Sequence, residues 1–124
     1  LPQLDLMIEG LILDLEARGL LDETLVVVMG EMGRTPKINK NSGRDHWPQC
    51  GFSLLFGGGT RRGMVLGATD HQAGYPVDRP VSAGDLAATI YQLIGINPAL
   101  TVPDLGGRPV PISHGGQPVW EVLA

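Results

Sequence analysis

The stretch Leu25-Val26-Val27-Val28-Met29, closed by Gly30, limits the fold more than any other part of the chain. It is apolar without alternation and largely β-branched. A strand with no polar face is expected to be covered on both sides, as in a central parallel strand. Ahead of it, residues 3–19 place Leu4, Met7, Ile8, Leu11, Ile12 and Leu15 at three- and four-residue steps, the mark of an amphipathic helix. Asp5, Glu9, Asp14, Glu16 and Arg18 mostly take the other face. Pro2 suits a helix start and Gly19 a stop. Helix, short connection through Leu20–Thr24, then covered strand predicts an α/β architecture.

Downstream the pattern loosens. Residues 30–50 show no period and are punctuated by Gly30, Gly33, Pro36, Gly43 and Pro48. They read as a long loop at the end of a strand, where open α/β sheets bind ligands. Phe52–Phe56 reads as a second covered strand, ended by a turn at Gly57-Gly58-Gly59, and Met64–Ala68 as a short third. Residues 69–81 are again loop. Ser82 opens a helix, with Asp85 completing a capping-box-like pair. Leu86, Thr89, Ile90, Leu93 and Ile94 form its apolar face, Gly95 its C′ residue, and Pro98 prevents continuation. Residues 99–124 are Pro- and Gly-rich and are expected to wrap the surface, with a short element at Val119–Leu123.

Composition narrows the function classes. Of 124 residues, 43% are hydrophobic and 18% charged, which favours a folded core over disorder. The net charge of −4 argues against a broad nucleic-acid surface. No apolar run approaches the roughly 18 residues of a membrane span. The single cysteine, Cys50, has no internal disulfide partner. Leu1 is not a start methionine and the chain opens mid-pattern, so residues 1–124 are expected to be one C-terminal segment of a longer polypeptide.

Two loop segments carry candidate chemistry. In Gly30-Glu31-Met32-Gly33-Arg34-Thr35-Pro36, the Glu31 carboxylate suits a hard metal ion or a general base. Arg34 offers a planar fork for phosphate or sulfate oxygens. The plain alternative is a structural Glu–Arg ion pair. In Gly43-Arg44-Asp45-His46-Trp47-Pro48, a cation, a carboxylate and an imidazole follow one another, and Asp and His are common zinc ligands. Trp47 would wall the site. The alternative there is an Asp-capped turn with a surface His. Lys37 and Lys40 join Arg34 and Arg44 in a positive patch that steers anions, or is simply a solvated loop. His71 and His114 are lone loop histidines, with Asp70, His71 and Tyr75 as further candidates to line the site. Ser53 and Ser82 lack a nucleophile-elbow context, and Gly57–Gly59 lacks the spacing of a P-loop.

The run from Val26 through Gly30-Glu31-Met32-Gly33-Arg34-Thr35-Pro36-Lys37-Ile38, with Gly43–Pro48, resembles a bacterial family of sulfatase-like proteins, domain of unknown function 1501, within the alkaline phosphatase-like superfamily. Gly67–Asp70, Arg79–Val81 and Asp85–Ile90 fit the same resemblance. It implies an α/β fold of three layers, α/β/α, with a mostly parallel sheet, of which this chain is the C-terminal part. It implies one or two divalent metals at the strand ends and a nucleophile earlier in the full chain. Where that superfamily usually has Asp-His, this chain has Glu31-Met32; Glu31 can replace the Asp, but Met32 is no hard-metal ligand. His46 matches the downstream metal-binding histidine. Arg34 and Asp45 have no general counterpart and enter on their chemistry and loop position. Asp85 and Thr89 lie in a helix that is structural in the superfamily.

The expected function is a metal-dependent hydrolase of sulfate or phosphate esters in the full-length protein. Glu31 and His46 would hold a divalent cation (zinc, calcium or manganese). Arg34, together with Arg44, would neutralise charge on the non-bridging oxygens, Asp45 would ligate or orient His46, and an anionic small molecule or glycan ester would be the substrate. Little turnover is expected of the 124 residues alone. The rival expectation, motivated by Met32, is a non-catalytic domain that binds anions or sulfated glycans. An exported location is implied by resemblance only.

Overall fold

The computed structural model describes residues 1–124. Helix α1 spans Pro2–Ala17. Its C-terminus closes as the sequence predicts: Gly19 takes φ +68°. The Gly19 N–H donates to the Glu16 carbonyl at 3.0 Å, and the Leu20 N–H to the Leu15 carbonyl at 2.8 Å. That is a Schellman closure. A 3-10 turn at Leu21–Glu23 leads to strand β1, Val26–Met29. Short strands follow: β2 Gly33–Arg34, β3 His46–Trp47, β4 Ser53–Phe56, β5 Ala68–Thr69 and β6 Pro76–Asp78. Helix α2 spans Ala83–Leu93, and β7 Thr101–Pro103 pairs with β8 Pro109–Pro111. A second 3-10 turn, Trp120–Val122, lies near the end.

The strand content corrects the expected architecture. There is no large parallel sheet and no three-layer α/β/α arrangement. The strands form four two-stranded sheets, β1–β4, β2–β3, β5–β6 and β7–β8, all antiparallel. β1 runs against β4 with Val26 opposite Phe56 and Met29 opposite Ser53. A parallel return normally carries a crossover helix. Residues 30–52 contain none; they fold as a second hairpin instead. β1 and β4 are also not covered on both faces: Val26–Val28 are half-buried, Met29 is exposed, and Phe52 beside β4 is 71% exposed. Met64–Leu66 form no strand; the pairing there begins at Ala68.

The buried interior is small and lies around α2 and the C-terminal segment. Only nine of 124 residues are buried, among them Leu21, Ala88, Thr89, Ser113 and Val119. The accessible surface is 8972 Å² for 13.2 kDa, against about 6,400 Å² for a folded monomer of this mass, an excess of roughly 2,500 Å².

α2 is held as its sequence predicts. The Ser82 hydroxyl accepts from the Asp85 N–H at 3.1 Å, and the Asp85 carboxylate accepts from the Ser82 N–H at 3.0 Å, a complete capping box. Gly95, at φ +79°, closes the other end, with Ile96 N–H donating to the Tyr91 carbonyl. Thr89 Oγ1 donates to the Asp85 carbonyl at 2.7 Å and accepts from the buried Val119 N–H at 2.9 Å. Asp85 also accepts from the Gln117 N–H at 2.8 Å. These bonds tie residues 117–119 to the helix, with Asp85 and Thr89 as capping and packing residues. The Gly57–Gly59 turn is closely packed rather than loose. A Cβ on Gly57 would lie 2.2 Å from the Leu21 carbonyl oxygen, and its φ is +66°. Only glycine meets both demands.

Candidate functional site

The long polar loop folds as a hairpin with its own internal lattice. β2 and β3 place Gly33 opposite Trp47 and Arg34 opposite His46. The ladder continues through the Thr35 N–H, which donates to the Asp45 carbonyl at 3.0 Å. The Thr35 hydroxyl accepts from the Asp45 N–H at 3.1 Å and donates to the Lys37 carbonyl at 2.9 Å. At the tip, the Asn39 carboxamide oxygen accepts from the N–H groups of Asn41 and Gly43, at 2.9 and 3.1 Å. Its Nδ2 donates to Asp45 Oδ1 at 2.9 Å. Arg44 donates to the carbonyls of Thr35 and Pro36 from one guanidinium nitrogen. The chain turns at the tip through Asn41-Ser42-Gly43, with Ser42 at φ +58°.

Gly33 is required by close approach. A Cβ there would sit 1.7 Å from the Cys50 carbonyl oxygen. This contact pins the chain after β3 against the base of the hairpin.

The hairpin docks on the loop between β5 and β6. Trp47 Nε1 donates to the Gly74 carbonyl at 2.6 Å. The Trp47 and Tyr75 rings meet edge to face, 5.5 Å between centroids and 71° between planes. Asp70 organises that second loop by accepting from the Gln72 and Gly74 N–H groups, at 3.1 and 2.8 Å. Trp47 and Tyr75 are thus brought together across 28 positions, as the sequence suggested only by residue type. Asn39, Thr35 and Gly33, which hold the hairpin's shape, were missed. Their role lies in backbone bonds and close approach, which residue chemistry alone does not announce.

The candidate residues separate by partner. Arg34, His46, Glu31, Lys37 and Lys40 are exposed and take part in no side-chain hydrogen bond or ion pair; the bonds and ion pairs lie elsewhere. The Glu31–Arg34 ion pair weighed above is therefore not formed. Asp45 spends its carboxylate on Asn39, and Arg44 spends part of its guanidinium on backbone carbonyls. Both act within the hairpin. Between Gly33 and Trp47, four cationic side chains face one carboxylate, that of Asp45.

The residue opposite His46 is Arg34, not Glu31, which lies in the bend before β2. No three His, Cys, Asp or Glu side chains come together as a group able to hold a metal ion. Glu31 and His46 by themselves do not make up the donor set of a resident zinc, calcium or manganese ion, which takes four or more ligands. His71 and His114 are exposed, and His114 sits at φ +52° in a turn distant in sequence from the hairpin.

Shifted acidities lie elsewhere. The Gln117 N–H, and then the Ser82 hydroxyl and N–H, hold the Asp85 carboxyl below the usual carboxylate range. The Arg108 N–H and side chain do the same for Asp104, and the Arg79 guanidinium for Glu121. All three hold loops or helix ends in place. No helix is long and apolar enough to cross a membrane.

Neither a curated protein nor a solved structure matches the chain. Residues 1–123 match the family described as "Protein of unknown function (DUF1501)", and the chain belongs to that family.

Proposed function

We propose that the β2–β3 hairpin is an anion-recognition surface, suited to a sulfated or phosphorylated ester or glycan, and that these 124 residues bind such groups without hydrolysing them. The observation that carries this reading is the cross-strand pair Arg34–His46, exposed and unpaired, on a hairpin whose shape is fixed by its own hydrogen bonds. A guanidinium fork bonds two oxygens of one sulfate or phosphate group at once. Lys37 and Lys40 on the same hairpin add attraction at longer range. The Trp47–Tyr75 pair beside it supplies an apolar surface for a sugar ring.

Because the cations are exposed, binding is weak and salt-sensitive. Titration with a sulfated oligosaccharide and its desulfated counterpart tests the reading. The sulfated form is expected to bind, with affinity falling about tenfold on Arg34→Ala and only partly restored by Arg34→Lys. Equal binding of both forms would refute it.

The second reading is a metal-dependent sulfate or phosphate esterase within a larger polypeptide. What favours it is that Glu31 and His46 both stand exposed at the base of one hairpin. It needs a nucleophile and further ligands from outside these residues. Stoichiometric zinc, calcium or manganese in the longer protein, lost on His46→Ala, would favour it. Anion binding that survives a chelator favours the binding module.

A further inference from the structure

Four of the seven arginines find a carboxylate: Arg18 pairs with Asp14, Arg62 with Glu16 and Asp22, Arg79 with Glu121 and Arg108 with Asp104. Arg34, Arg44 and Arg61 do not, and two of those three stand on the β2–β3 hairpin. Acidic residues outnumber lysines and arginines in the chain, 13 against 9, yet on this hairpin the positive charge goes unanswered. The one carboxylate between Gly33 and Trp47, that of Asp45, accepts from Asn39 instead.

The two hairpin arginines differ in how they are held. Arg34 makes no side-chain bond and stands across from His46. Arg44 is anchored: its Nη1 donates to the Thr35 carbonyl at 2.6 Å and to the Pro36 carbonyl as well. Those bonds occupy a single nitrogen of the guanidinium. Nε and Nη2, which form the fork along its side, keep no partner within the protein. A planar donor fork fixed in this way meets a tetrahedral oxyanion at little entropic cost. The same bonds place it. The head of Arg44 lies at the carbonyls of the two residues that follow Arg34. The two forks therefore belong to neighbouring steps of the hairpin, roughly 7 Å apart along an extended strand.

We infer that the hairpin takes a ligand carrying two sulfate or phosphate groups, one met by Arg34 with His46 and the other by the anchored fork of Arg44. This rests on the anion recognition proposed above and names its ligand class: a doubly rather than a singly esterified molecule. A lone tetrahedral ion is smaller than the step between the forks and meets one of them. Two such groups on one molecule meet both, and the second contact is then intramolecular.

The test uses the whole chain and three rigid probes. They are phenyl sulfate, catechol bis(sulfate), with its groups on adjacent ring carbons, and hydroquinone bis(sulfate), with its groups across the ring. The last two carry equal charge and differ in spacing. Hydroquinone bis(sulfate) is expected to bind about tenfold more tightly than phenyl sulfate, and catechol bis(sulfate) no more than about threefold. Arg44→Lys keeps the charge and loses the fork, and should bring hydroquinone bis(sulfate) down to the level of the catechol compound. Arg61→Ala removes the remaining unpaired arginine and should change none of the three affinities. The indole N–H resonance of Trp47, set by its bond to the Gly74 carbonyl, verifies that the hairpin stays docked. Equal binding of the two bis(sulfates) would overturn the inference on the unaltered chain alone, because charge and not spacing would then govern. So would an advantage for hydroquinone bis(sulfate) that survives Arg44→Lys, or that falls as far on Arg61→Ala. If phenyl sulfate binds in those cases, the anion reading stands and only the two-group ligand falls. Failure of all three probes to bind removes both.

Discussion

α1 and α2 end in the same backbone closure, yet they stand in opposite circumstances. Both finish on a left-handed glycine, Gly19 and Gly95, with matching 6→1 and 5→2 bonds. α2 begins with a full capping box and buries Ala88 and Thr89. α1 begins without a side-chain cap and buries nothing. Caps and closures are local and form wherever their residues occur. Full burial requires a closely fitted partner surface, which α2 has in residues 117–119, fastened through Asp85 and Thr89, whereas α1 only half-buries Ile8, Ile12 and Leu15. Most of the tertiary stability of these residues should therefore sit in the α2 half.

The severest way to break that comparison is Gly116→Ala. A Cβ at Gly116 would lie 1.9 Å from the Gly84 backbone carbon, so the segment must leave the helix. The expected loss is about 3 kcal/mol, at the upper end of overpacking costs, read as the urea midpoint of α2. Thr89→Val comes next. It keeps the shape but leaves the buried Val119 N–H without its acceptor, and should cost about 2 kcal/mol in the same measurement.

A pH titration sharpens the contrast further. The Asp85 carboxyl is held below its ordinary range in the folded chain. Its contribution is therefore present above the unfolded value, near 3.9, and is lost as pH falls through the lower folded value. Exchange in α2 should accelerate below about pH 4, and Asp85→Asn should flatten that dependence. An acid sensitivity unchanged in Asp85→Asn would show that other carboxylates set it. The smallest effect is expected on the other helix. Leu6→Glu should shift the midpoint by less than about 0.5 kcal/mol, since no contact is lost. A large loss there would mean that α1 is anchored after all.

The candidate site divides along similar lines. Its cations were legible, because Arg34, Lys37, Lys40 and Arg44 crowd one polar stretch. The shape of that stretch was not. Residues 30–50 carry no hydrophobic period, so pattern reading yields a loop, while Thr35, Asn39 and Gly33 make it a hairpin through hydrogen bonds and one close backbone contact. Pairing Glu31 with His46 followed from residue chemistry and resemblance. The register sets Arg34 opposite His46, and the carboxylate of Asp45 bonds Asn39.

What the sequence determined by itself is therefore local: where α1 and α2 lie, how they end, that Ser82 and Asp85 cap one of them, and which segments become β1 and β4. Each rests on residues within a few positions of one another. The tertiary structure alone decided that β1 and β4 run antiparallel, that four small sheets replace one large one, and that Trp47 meets Tyr75 and Arg34 meets His46. Those outcomes depend on which distant backbone groups are on hand to satisfy a strand's hydrogen bonds. An apolar run states that a strand wants covering; it does not name the neighbour, its direction or its register.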